Sequence, residues 1–127
     1  MVRQAKLGLY TGTNAPTATV AASSTTAYYS EPMAIMGCES FSFQVEWSGT
    51  SSGVGTFTLQ VSNDPDVLNN PTAAQWVTTA EVFPANPNSD NSATAETFSG
   101  SGYAFARLVY TNASGTVTMG PVFGNAH

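Results

Sequence analysis

Charge is scarce in this chain. Lys, Arg, Asp and Glu make up 9% of its 127 residues, against about 25% in an average domain. The cations are Arg3, Lys6 and Arg107, facing eight carboxylates, for a net charge of -5. Nucleic-acid phosphates are held by clustered Lys and Arg, and no such cluster exists, so no nucleic-acid partner is expected. Anionic membrane surfaces are disfavoured for the same reason. No apolar run approaches the length of a membrane span, and no continuous apolar stretch near the N-terminus reads as a signal peptide. The expectation is a protein without a membrane partner, made and kept in a cytoplasm or assembled there into something larger.

The groups that carry most enzyme chemistry are equally sparse. One cysteine, Cys38, excludes an internal disulfide framework and reads as a small buried hydrophobe. A nucleophilic thiol needs a base, and the single histidine is the last residue, His127. Glu39, Glu46, Glu81 and Glu96 are scattered singly, with no spacing that sets two acids across one cleft. Neither a G-x-S-x-G elbow nor a phosphate-cradling glycine loop occurs. Asn63, Asp64 and Asp66 offer oxygens suited to calcium. Pro65 interrupts them and no bidentate Glu follows at a suitable spacing, so they read as a turn whose short side chains bond their own backbone. No catalytic residue, cofactor or metal site is assigned, and the chain is read as a non-enzyme.

A sustained 3.6-residue apolar period is also missing, which argues against helices. What is present is a period of two. Phe41, Phe43, Val45 and Trp47 alternate with Ser42, Gln44 and Glu46; Phe57, Leu59 and Val61 alternate with Thr58, Gln60 and Ser62. Successive side chains leave opposite faces of a pleated strand, so each run reads as a half-buried strand with its apolar residues in the core. Gly49, Gly53 and Gly55 between the runs predict a hairpin loop. Further strands are expected at 32–36, 76–79, 93–98, 103–111 and 116–123. A hairpin turn is expected at Asn112, Ala113, Ser114 and Gly115, and Pro121 predicts an edge or a bulge. Asn112 and Ser114 match a glycosylation sequon but read as turn residues.

Seven Phe, five Tyr and two Trp supply enough apolar bulk for a core. Trp47 is in phase with the core run. Trp76 opens a strand after a loop and reads as core or rim, while an exposed aromatic row would instead suit sugar stacking. Arg107, inside a strand, is expected to pair with a carboxylate such as Glu46 or Glu96, or to lie at an edge with its stem packed on aromatics. Residues 1–30 are rich in Thr, Ala and Ser with little apolar weight, and read as an extended N-terminal arm before a domain at 31–127; Tyr28 and Tyr29 predict that its end is docked. The fold expected is all-β, an antiparallel, jelly-roll-like β-sandwich of about seven to eight short strands.

The order of these features resembles a known group. Trp47, Ser48, Gly49 and Thr50 form a W-x-G-T turn. Residues 55–64 read G-T-F-x-L-Q-V-S-N-D, and Trp76 to Thr79 follow. Residues 103–111 read Y-x-x-x-R-L-x-Y-T, with Ser114, Gly115 and Thr116 closing the pattern. Over residues 31–123 this is similar to small virion proteins of tailed bacteriophages with β-sandwich folds. The resemblance implies a structural role, most directly that of a capsid decoration (cement) protein. Its expected partners are the major capsid protein and further copies of itself, in a trimer on the capsid exterior. It supplies no catalytic residues. The alternatives it leaves are a tail or neck component and a carbohydrate- or receptor-binding module.

Overall fold

A computed structural model describes residues 3–10, 16–22, 27–71, 73–85, 93–99 and 102–127. These are strands, turns and bends, with no helix among the described residues. The strands are β1 (Arg3–Leu7), β2 (Leu9–Tyr10), β3 (Val20–Ala22), β4 (Ala27–Ser30), β5 (Met33–Ala34), β6 (Ser40–Ser62), β7 (Val77–Ala85), β8 (Ala93–Ser99) and β9 (Phe105–Ala126).

The architecture hangs on β6 and β9, which pair antiparallel along their whole lengths, from Phe41↔Ala126 to Ser62↔Phe105. This corrects both predicted hairpins. The chain reverses neither at Gly49–Gly55 nor at 112–115; each glycine-bearing segment lies inside one long strand, and the two lie opposite each other. Register shifts cluster there, between Val45 and Gly55 of β6, and Gly115 has φ +70°. Glycines and short polar residues lower the barrier to a bend as much as to a reversal, and pairing with the partner strand selects the bend.

Each half of the ribbon collects its own neighbours. The first half, residues 40–47 with 117–126, is flanked by β8 on the β6 side and by β1 and β3 on the β9 side. The second half, residues 55–62 with 105–112, is flanked by β7 on one side and by β4 and β5 on the other, with β2 beyond β4. Phe41, Phe43 and Val45 face inward from the first half; Phe57, Leu59 and Val61 face inward from the second, across from Tyr110, Leu108 and Ala106. The halves meet around a cavity of only about 10 Å³ bounded by Val45, Met119 and Val122 from one and Phe57, Leu108 and Tyr110 from the other. The result is an antiparallel β-sandwich with one shared core, as the alternation predicts.

In their described part, the first 30 residues run as four strands rather than as a free extension, and β1, β3 and β4 bond directly to β9. Leu7, Leu9, Tyr10, Ala22 and Tyr28 from this segment are buried. Pro121 sits in a central strand, at the gap between the partners of β1 (Leu7↔Val122) and β3 (Val20↔Met119) and where the β6 register slips. The bulge alternative therefore holds for Pro121. Gly120 beside it has φ +114°, and a Cβ there would collide with the carbonyl oxygen of Ala18.

Candidate functional site

The carboxylate loop is built by local backbone bonding. Asp64 Oδ1 accepts the Asp66 N–H at 2.9 Å and Oδ2 accepts the Gln75 N–H at 2.9 Å. Asn63 Oδ1 accepts from Ala104 N–H at 2.8 Å, tying the loop to the start of β9. The Gln75 and Asp66 N–H groups hold the Asp64 carboxyl below its ordinary range, because they stabilise the anion. Both oxygens of Asp64 thus serve the turn, and no group of three or more His, Cys, Asp or Glu suited to a metal occurs among the described residues.

Cys38 is half-buried, packed against the core rather than fully inside it. His127 is anchored: its N–H donates to Ser40 O and its carbonyl accepts from Glu39 and Ser40 N–H. Its Nε2 lies 3.3 Å from Ser40 Oγ at an exposed position. That contact was not legible from a sequence separation of 87 residues. Asn112, the sequon residue, is buried, with Oδ1 accepting from Tyr110 Oη and Nδ2 donating to Gly115 O. The backbone of Trp47 pairs with Met119, while its side chain, like those of Glu81 and Glu96, lies outside the described set. Asp90 lies outside the described residues altogether.

Arg107 departs most from expectation. Its guanidinium, on the outer face of the second sheet, bonds neutral oxygens rather than Glu46, and the Glu96 side chain lies outside the described set. Nε donates to Gln60 Oε1 and NH1 donates to Tyr10 Oη, both at 2.8 Å. The guanidinium carbon lies 4.4 Å from the Tyr29 ring centre and 4.2 Å from that of Trp76. Tyr29 in turn stacks on Tyr10 at 5.8 Å, and Trp76 Nε1 donates to Pro71 O at 2.9 Å. The register explains the grouping: Gln60↔Arg107 across the ribbon and Tyr10↔Tyr29 across β2 and β4. With Arg107 7% exposed and Tyr10 3% exposed, ring faces and neutral oxygens replace water around the charge. Burial pushes the Arg107 guanidinium down and the Tyr10 phenol up; each partly offsets the other. The aromatic half of the second alternative is what occurs, with two differences: β9 is a central strand here, and the guanidinium itself lies over the rings, so Trp76 is committed to Arg107.

The outer face of the first sheet is different. Strand register lays two rows across four strands: Gln4, Asn125, Ser42 and Thr97, then Lys6, Phe123, Gln44 and Ala95. Amides and hydroxyls dominate, with one ring, Phe123, 37% exposed in their midst. At one end of this face Ser40 Oγ meets His127 Nε2 at 3.3 Å; the rows themselves offer amides, hydroxyls and one ring, groups suited to binding.

No protein-family model matches this chain, and no characterised protein matches it in sequence. Solved structures do match in fold. The CBM22-1–GH10 modules of Clostridium thermocellum xylanase 10B, solved with xylohexaose, align at TM-score 0.54 and 14% identity, over 99% of this chain and 26% of that one. The N-terminal cellulose-binding domain of Cellulomonas fimi β-1,4-glucanase C aligns at TM-score 0.52 and 11% identity, over 95% of this chain and 86% of that one. The enzymatically active domain of bacteriophage CBA120 tailspike protein 4 aligns at TM-score 0.47 and 11% identity, over 100% and 19%. This chain is thus about a quarter and a fifth the length of the xylanase and tailspike chains. The first two likenesses establish the fold, an all-β sandwich.

Proposed function

We propose that this chain is a bacteriophage structural protein that decorates the outside of a capsid and stabilises the shell. In this reading it acts as a homo-oligomer, a trimer, seated on the major capsid protein. One observation carries the reading. Of the segments that resemble phage virion sandwiches, 47–50, 55–64, 103–111 and 114–116 are scattered in sequence yet fall along the β6–β9 ribbon and its immediate ends, and 76–79 opens β7, which pairs with β6. They share a single connected scaffold. Polar, nearly uncharged outer faces favour contact with other proteins, since charge is expensive to desolvate at an interface core. Many modest contacts repeated over a lattice then act together.

Quantitative mass spectrometry of purified virions, with cryo-electron microscopy of the same particles, tests the proposal. The expected result is a copy number in the hundreds and density on the outer shell. A handful of copies assigns the chain to the tail or neck, and absence from particles ends the virion reading.

A second reading, a carbohydrate-binding module, draws support from the sandwich fold this chain has in common with the Cellulomonas fimi cellulose-binding domain. Trp76 is a poor platform for it, because one ring face already covers Arg107. The amide-rich face of the first sheet is the better one.

A further inference from the structure

We propose that the outer face of β1, β9 and β6 is a saccharide site, taking a neutral oligosaccharide over Phe123 between Gln4, Asn125, Ser42, Gln44 and Lys6. The proposal deepens the carbohydrate-binding reading and rests on it; it is independent of where the chain sits in a particle. These residues line a groove of about 500 Å³, within the 300–1,000 Å³ typical of small-ligand sites. The groove is made by adjacent rows of one sheet, so its side chains stand on paired backbone rather than on loops.

Its chemistry selects the ligand class. A sugar ring offers an apolar C–H face and a rim of hydroxyls that both donate and accept. Phe123 supplies the apolar platform, and the carboxamides and hydroxyl around it supply donors and acceptors in both senses. Asn125 Oδ1 is buried and accepts no hydrogen bond; an orphaned buried acceptor is costly, and a turn of the carboxamide toward the groove on binding gives it a ligand hydroxyl as donor. Other occupants fit less well. β9 is bonded to β1 on one side and β6 on the other, so the floor of the groove offers no free strand edge to an extended peptide. One exposed ring is too little apolar area for a helix. A single cation, Lys6, on a protein of net charge -5 disfavours polyanions.

The test is an array of neutral gluco-, manno-, galacto- and xylo-configured oligosaccharides beside sialylated and sulfated ones. It is probed with the full chain and with Phe123→Ala, Gln44→Ala and, as a control outside the groove in the loop after β6, Leu68→Ala. Phe123, Gln44 and Leu68 are exposed, so circular dichroism should show all three variants folded. Expected are capture on neutral glycans, at least a tenfold loss for Phe123→Ala and Gln44→Ala, and no change for Leu68→Ala. Capture that survives both groove variants overturns this site while leaving a carbohydrate-binding protein. Capture on acidic glycans alone, abolished by Lys6→Ala, overturns the neutral-ligand assignment. An inert array overturns both the site and the reading beneath it.

Discussion

Removing one oxygen atom, in Tyr10→Phe, should destabilise the whole sandwich. Tyr10 Oη accepts the hydrogen bond from Arg107 NH1 at 2.8 Å, and both residues are almost fully buried. The substitution leaves the ring stacked on Tyr29 but strands one face of a buried guanidinium. Leaving a buried polar group unsatisfied costs about 1–3 kcal/mol, and more when it is charged. For a chain of this size about 2 kcal/mol lowers Tm by roughly 8 °C and moves the urea midpoint by about 1 M. The decisive measurement is a double-mutant cycle with Arg107→Met, which keeps a stem of similar length and removes the charge. Tyr10→Phe should be nearly neutral in that background, giving a coupling of about 1–3 kcal/mol. A loss below about 0.5 kcal/mol in the parent, or an equal loss in both backgrounds, would show that the hydroxyl does not hold the charge.

Four further outcomes follow from the same structure. The phenols of Tyr10 and Tyr110 are raised by burial above the ordinary value of 10.0. Their contribution is therefore complete below pH 10 and lost as pH rises through the folded-state values, so alkaline unfolding should be shallower in Tyr10→Phe once its baseline loss is subtracted. The Asp64 carboxyl, held low by the Gln75 and Asp66 N–H groups, should titrate below 3.8 by NMR; its contribution is present above that value and lost as pH falls through the folded one. Gly120→Ala should cost at least about 1–3 kcal/mol, because φ is +114° and the new Cβ meets the Ala18 carbonyl. Deleting residues 1–28 removes Leu7, Leu9, Tyr10 and Tyr28 from the core. At about 1.5–3 kcal/mol for each large apolar side chain, the loss reaches the whole stability of a typical domain. The truncated chain should show no cooperative thermal transition.

The alternation at 41–47 and 57–61 was enough to place Phe41, Phe43, Val45, Phe57, Leu59 and Val61 inside, because a period of two has one physical meaning in a half-buried sheet. The bulge at Pro121 and the short strand around Phe98 were readable from equally local rules. What sequence could not decide was whether Gly49–Gly55 and Asn112–Gly115 reverse the chain or bend it. Local conformational freedom is the same in both cases, and the choice is made by strands some 60 residues away. The strands of residues 1–30 were faint because Ala, Thr and Ser carry little apolar contrast; they are strands because β9 offers them an edge. Arg107 was misassigned to a carboxylate because charge pairing is the commoner remedy for burial, whereas its rings and Tyr10 are brought in from β2, β4 and the start of β7. The outer face of the first sheet was half legible: the polar alternation of Ser42 and Gln44 was visible, but Gln4, Lys6, Phe123 and Asn125 join it only through register.

The β6–β9 ribbon also sets the order in which this chain finds its shape. Its partners are 43 residues apart at Ser62↔Phe105 and 85 apart at Phe41↔Ala126. Closing the longer loop first would cost about 0.6 kcal/mol more entropy, so pairing should begin at the Ser62 end and zip toward Phe41. Contacts this distant place folding in the millisecond-to-second range. Until the zipper passes the central bend, the first sheet has no partner strand and β1 and β3 have nothing to join. Assembly of any larger body from this protein then waits on the last strand pair to close.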